Sequence, residues 1–252
     1  MDKSKNIRRN GIILWFIIAI LCLRSEEDYS SIYKKIKKSV VGIFAKKGYI
    51  EYFGTGFFIH PDGYILTVST TIPQQPEIIK IFTSDKKIYN GEWVATDDFL
   101  EASIIKIKPS NSFLNLKRYW KSLVFDNSNN VKVGEKCFTF TNDFNSIIEH
   151  FEVSMSLGNV SGIYTVEPMK DKKYESKYEG PVFETTAAVN PGSDGGPMVN
   201  VKGKVIGLIS LSYAKERYLG VAVPINRLKK FITQVLAKEL YNIPINKEKI
   251  EF

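Results

Sequence analysis

The spacing of apolar positions changes along the chain. Tyr29, Ile32, Tyr33 and Ile36 fall at i, i+3, i+4 and i+7, which predicts a short amphipathic helix over Glu26–Ser39, started by Ser25 and Asp28. From Ser39 the period becomes that of strands. Short β-rich runs follow at Val40–Phe44, Tyr49–Phe53, Gly56–Ile59, Tyr64–Val68, Ile78–Thr83, Lys87–Ala95, Ser103–Ile107, Lys136–Thr141, Val153–Tyr164, Val182–Ala188, Met198–Asn200, Lys204–Ser212 and Gly220–Val223. His60-Pro61-Asp62-Gly63 and Asn200–Lys204 have turn chemistry between such runs. The apolar face Leu228, Phe231, Ile232, Val235, Leu236 and Leu240 predicts a second helix over Asn226–Tyr241, capped by Asn226. Glu167–Gly180, rich in lysine and tyrosine, reads as a surface loop. Many short, regularly spaced strands without βα alternation define an all-β sandwich or barrel.

The N-terminus follows a different rule. A basic segment precedes the uninterrupted apolar run Gly11–Leu23, 13 residues long, which ends at Arg24-Ser25-Glu26-Glu27-Asp28. This is the layout of a secretory signal, and it is short for a spanning helix, which needs about 20 residues. The cleavage region lacks Ala-x-Ala, so a retained N-terminal anchor competes with a cleaved leader. Cys22 adds a lipoprotein reading, weakened by Leu21 where a small residue is expected. Each alternative exports the domain or ties it to the outer face of a membrane. The chain thus divides into a leader or anchor (1–24), one folded domain (25–241) and a tail (242–252).

Lys3, Lys5, Arg8, Arg9 and Arg24 against Asp2 give the leader a net +4, half of the chain's +8. The remaining excess reads as a solvated basic surface. No basic stripe with interleaved aromatics marks a nucleic-acid interface. With Cys22 in the leader, the domain keeps one cysteine, Cys137, so a disulfide framework is excluded. Cys137 lies in an apolar run and reads as a small buried hydrophobe.

The candidate chemistry lies in Asn190-Pro191-Gly192-Ser193-Asp194-Gly195-Gly196-Pro197. Glycines here permit positive φ and bring backbone N–H groups into an anion-binding nest. The loop resembles the nucleophile loop of trypsin-fold serine proteases, in the HtrA-type form Asn-Pro-Gly-Asn-Ser-Gly-Gly-Pro. Other segments extend the resemblance in order. Gly54–Ile59 with Pro61–Thr67 is similar to the family's first-barrel pattern, Glu101–Ile107 to its aspartate strand, and Val133-Gly134-Glu135 to a strand entry. Gly203–Leu208 and Val221–Asn226 are similar to the last strands and the helix start. The resemblance implies two six-stranded antiparallel β-barrels with a short N-terminal and a C-terminal helix. The PDZ domain that HtrA proteases carry has no counterpart expected in the residues after Tyr241.

Hydrolysis by this fold needs a serine oxygen, an imidazole base and an orienting carboxylate. Carried onto this chain, the resemblance places Thr70 at the base position, Glu101 at the orienting position and Asp194 at the nucleophile position. Gly192, Ser193, Asp194 and Gly195 form the oxyanion-hole-like loop. A threonine hydroxyl cannot take the place of imidazole near neutral pH. His60 lies in a turn at the far end of the intervening strand, and His150 lies outside every catalytic segment. Ser193 is one residue early, an offset that redirects its side chain. No triad is therefore expected intact, and no metal or cofactor is expected. The carboxylate of Asp194 is expected to accept hydrogen bonds from the loop's own N–H groups.

These readings predict an exported pseudoprotease of the periplasm or cell envelope that binds a peptide or a partner protein. Contact with a membrane would run through the N-terminal segment, and the oligomeric state is left open. Two alternatives stand beside it. One is an unorthodox peptidase of envelope protein quality control, serine-type or using paired carboxylates with or without a divalent cation. The other is a purely structural envelope protein.

Overall fold

Alternation along the strands builds the fold. The computed structural model describes residues 28–108, 119–170, 175–210 and 219–241, so the proposed leader and tail lie outside the described residues. Two compact units are distinguished, Met1–Ser31 and Ile32–Phe252. Of the first, Asp28–Ser31 are described. Asp28 accepts from the Ser30 amide at 2.8 Å and hydroxyl at 2.9 Å, and helix α1 (Ser30–Ile36) begins there rather than at Glu26. Its continuation, Lys37–Ser39, winds as a 3₁₀ turn.

The first barrel contains β1 (Val40–Lys47), β2 (Ile50–Phe58), β3 (Tyr64–Val68), β4 (Ile78–Thr83), β5 (Lys87–Asp97) and β6 (Ala102–Ile107). They close antiparallel in the order β1-β2-β3-β6-β5-β4. In β4 the inward positions Ile79, Ile81 and Thr83 are buried while their neighbours face outward. With Val41, Ile43, Phe58, Ile65 and Ile105 the two isoleucines form the barrel's core. The sequence predicts two strands where β2 runs as one. Gly54 and Thr55 continue its ladder opposite Ile43 and Gly42, so this glycine does not break the strand.

The second barrel contains β7 (Lys136–Thr141), β8 (Ser154–Val166), β11 (Gly180–Thr185), β12 (Pro197–Asn200), β13 (Val205–Ile209) and β14 (Gly220–Pro224). It closes in the order β11-β14-β13-β12-β7-β8. Cys137, Val160, Phe183, Met198 and Ile209 lie in its core. Burial pushes the Cys137 thiol pKa up, against a contact with the Thr185 hydroxyl at 3.1 Å. A short helix α2 (Ser146–His150) follows β7. The segment read as a surface loop holds a pair of two-residue strands, β9 (Met169–Lys170) and β10 (Glu175–Ser176). It also holds Tyr178, which is fully buried with its hydroxyl on the Pro181 carbonyl at 2.6 Å.

The chain between the barrels is hydrogen-bonded to both. Trp120 N–H donates to Pro61 O and Leu123 N–H to Phe58 O, each at 2.9 Å. Asp126 N–H donates to Val205 O at 2.8 Å, and Val205 N–H to Val124 O at 2.9 Å. Helix α3 (Ile225–Tyr241) closes the domain, burying Leu228, Phe231, Ile232 and Val235. Asn226 does not cap it as the sequence predicts. Its backbone N–H is taken by Ser128 Oγ at 3.0 Å and its side-chain amide by Asn127 Oδ1 at 2.6 Å. The interbarrel segment thus supplies the acceptor that a capping side chain would supply.

Candidate functional site

Three segments meet at the site: the turn after β3, the loop before β6, and the loop between β11 and β12. β3 ends at Val68, and Ser69 N–H donates to Glu101 O at 3.0 Å. Thr70 follows, exposed, with its hydroxyl 3.3 Å from Asp194 Oδ2. The sequence-inferred base and nucleophile positions therefore touch across the barrels. The Asp194 carbonyl accepts from Thr55 N–H at 2.7 Å and the Thr71 hydroxyl at 3.4 Å.

The Asp194 carboxylate meets Thr70, and three N–H groups of its own loop go to backbone carbonyls. Ser193 N–H donates to Asn190 O, Gly195 N–H to Ile209 O and Gly196 N–H to Ser193 O, each at 2.9 Å. Two of these bonds stay within the loop and one reaches Ile209 in β13, which holds the turn in shape.

Glycine is demanded at two positions. Gly192 has φ +95°, and a Cβ there would sit 2.2 Å from Asn142 O. Gly195 has φ +88°, and its Cβ would sit 2.2 Å from both Thr55 O and Thr67 Oγ1.

Ser193 points away from Asp194 and is fully buried. Its hydroxyl donates to Asp143 Oδ1 and accepts from Asn190 N–H at 2.9 Å. Asp143 also accepts from Thr141 Oγ1 at 2.7 Å and Asn190 Nδ2 at 3.1 Å. The serine therefore serves as a tie between the loop and the end of β7. Asn142 adds a second tie: its N–H donates to Thr55 Oγ1 at 2.8 Å, and Thr55 Oγ1 donates to Gly192 O at 2.6 Å. Sequence reasoning missed Thr55, Thr71, Asn142 and Asp143. Their partners lie about fifty or more positions away, and no local pattern signals them.

Glu101 is 5 % exposed, with φ +51° and an Oε2 that has no hydrogen-bond partner. Its charge is close enough to raise the Tyr178 pKa. Burial is the larger cause of that rise, and the Arg227 guanidinium opposes it. The two histidines lie elsewhere. His60 occupies the turn before β3, its Nδ1 accepting Asp62 N–H at 3.2 Å. His150 ends α2, its side chain 72 % exposed and 3.8 Å from Glu149. Among the described residues no three His, Cys, Asp or Glu side chains gather as a metal-ligand set.

Comparisons with known proteins agree with the two-barrel fold. The trypsin-like peptidase domain profile matches residues 54–208, and the chain belongs to that family in its HtrA-type branch. A probable periplasmic serine endoprotease, DegP-like, from Pseudomonas savastanoi pv. phaseolicola is 30 % identical over 176 residues, covering 69 % of this chain and 32 % of the relative. An HtrA-like serine protease from Staphylococcus epidermidis is 27 % identical over 193 residues, 75 % of this chain and 31 % of the relative. The chain thus spans about a third of the length of these relatives. The HtrA-type protease AlgW, solved with a tripeptide, superposes with a TM-score of 0.65 at 19 % identity, covering 85 % of this chain and 64 % of that one.

Proposed function

We propose that this protein is a catalytically inactive member of the HtrA-type family whose interbarrel cleft binds an extended peptide or a partner protein. The observation that carries the reading is the pair Thr70 and Asp194, in contact at 3.3 Å at the positions that the sequence resemblance assigns to base and nucleophile. Neither can act as the family's residues do. A hydroxyl does not accept a proton near neutral pH, and a carboxylate there places negative charge where an oxyanion would have to develop. Ser193 does not substitute, because its hydroxyl is engaged by Asp143. Loss of the triad serine or histidine alone costs about a millionfold in turnover.

Binding needs no nucleophile. An extended peptide adds to a strand edge by main-chain hydrogen bonds, with side-chain pockets giving selectivity. The DegP-like relative is named as periplasmic, and the apolar run Gly11–Leu23 supports an exported, envelope location for this chain.

The test is labelling of the full chain with a fluorophosphonate probe, alongside binding of a panel of extended fluorescent peptides. No labelling with saturable peptide binding is expected. Labelling or peptide cleavage that disappears in Asp194→Ala or Ser193→Ala would overturn the inactive reading. Absence of binding across the panel would favour a purely structural role.

A further inference from the structure

A second recess lies on the first barrel, lined by residues that take no part in the Thr70–Asp194 site. It is a cavity of about 390 Å³ lined by Lys37, Lys38, Thr83, Ser84, Asp85, Tyr119, Trp120 and Lys121. Three chain segments build it: the 3₁₀ turn entering β1, the β4–β5 turn, and the start of the interbarrel segment. Their convergence brings three lysines into the lining of one small space.

The charges there are not balanced from within. Asp85, the cavity's single carboxylate, accepts from the Thr83 hydroxyl and lies 3.8 Å from Lys87, which stands outside the lining. Lys37 leans over the Tyr33 ring at 5.1 Å. Lys38 and Lys121 form no hydrogen bond or ion pair among the described residues. Like charges converging on one space repel, and an anion seated between them removes that repulsion. Ammonium groups are compact point charges well suited to phosphate oxygens, and the Ser84 hydroxyl adds a neutral donor. The floor is firm: Trp120 stacks on Phe58 at a centroid distance of 4.6 Å and meets Tyr89 edge-on at 5.1 Å.

We propose that this cavity binds a phosphate group, carried either by an anionic lipid headgroup or by a small soluble phosphate. A phosphoryl group with its carrier fits within this volume. Tyr119, 69 % exposed at the rim, has the apolar body and polar tip of residues that settle at a membrane interface.

Two arms test it on the full chain. In the first, flotation compares vesicles of phosphatidylcholine with vesicles also containing phosphatidylglycerol. In the second, inorganic phosphate is titrated calorimetrically and added as competitor to the flotation. The key variant is Lys37→Gln/Lys38→Gln/Lys121→Gln. Its control is Lys132→Gln/Lys177→Gln/Lys238→Gln, which removes the same charge from exposed sites elsewhere.

A preference for phosphatidylglycerol is expected, weakened about fivefold per neutralised lysine and on the order of a hundredfold in the cavity triple variant. The control should lose much less, and lysine-to-arginine replacement of the same three should retain binding. Phosphatidylglycerol preference without phosphate binding identifies the headgroup, whereas phosphate binding with competition identifies the soluble anion. Equal losses in cavity and control variants would overturn the proposal, as would binding in neither arm. Unchanged melting of the variants verifies that the fold is intact.

Discussion

Replacing Gly195 by alanine separates the two reasons a glycine stands in the Asn190–Pro197 loop. If the residue served only to present an N–H group, alanine would be tolerated wherever the backbone could relax. The structure says otherwise: φ is +88°, and the new Cβ would lie 2.2 Å from Thr55 O and Thr67 Oγ1. Holding an alanine in the left-handed region costs about 1–2 kcal/mol. Forcing a methyl into a packed site adds about 1–3 kcal/mol. Gly195→Ala should therefore destabilise the fold by about 2–5 kcal/mol, a fall in melting temperature of about 4–20 °C for a domain of this size. Gly203 supplies the reference. It also has positive φ, +70°, but its nearest atom to a built Cβ is Ile36 Cδ1 at 3.5 Å. Gly203→Ala should carry the conformational part alone, about 1–2 kcal/mol. Thermal and urea unfolding followed by far-ultraviolet circular dichroism read both variants under one set of conditions. Equal destabilisation would refute the packing argument and leave positive φ as the structural reason for Gly195.

Two further outcomes follow from the side chains. Ser193→Ala removes the hydroxyl between Asp143 and Asn190 N–H, and unfolding should show a loss of about 1–3 kcal/mol. If stability is unchanged, the serine does not tie the loop. Tyr178 has its pKa raised above 10.0, first by burial and then by Glu101. A group whose folded pKa is raised contributes stability that is complete below its unfolded pKa and lost as pH rises through the folded value. Tyr178 should therefore stay protonated past pH 10 and weaken the fold only above it. The 295 nm titration of wild type minus Tyr178→Phe shows this, and a difference step at or below pH 10 would contradict it.

The frame of the site could be read from the sequence because it rests on local signals. The His60–Gly63 turn and the apolar run Tyr64–Val68 fix β3. The catalytic positions of Thr70 and Asp194 come from the resemblance to the HtrA-type pattern in the segments around them. Contacts that bind distant segments gave no such signal. Nothing in Asn142-Asp143 announces a partner at Asn190 or Ser193, because those bonds exist only once the second barrel has closed. Tyr178 lies in a segment that reads as a surface loop because its residues are polar and charged, yet it folds inward to reach Pro181 O. Asn226 has the chemistry of a cap, but Ser128 reaches its N–H first. Local propensity is a weak prior wherever tertiary contacts offer a competing partner.

The segment Trp120–Asp126 is stitched to β2 and the β2–β3 turn on one side and to β13 on the other. Parting the barrels therefore breaks the two bonds on one side and also the bonds that run directly between barrels, from Thr55 N–H to Asp194 O, Asn142 N–H to Thr55 Oγ1 and Thr55 Oγ1 to Gly192 O. At a net contribution of about 0.5–1.5 kcal/mol for each such bond, the separation costs at least about 2.5 kcal/mol. A visitor that needs the barrels parted binds at least roughly fiftyfold more weakly than one that fits between them as they stand. Under the proposed binding role, that cost acts before any side chain is recognised and favours a single slim strand over a folded surface.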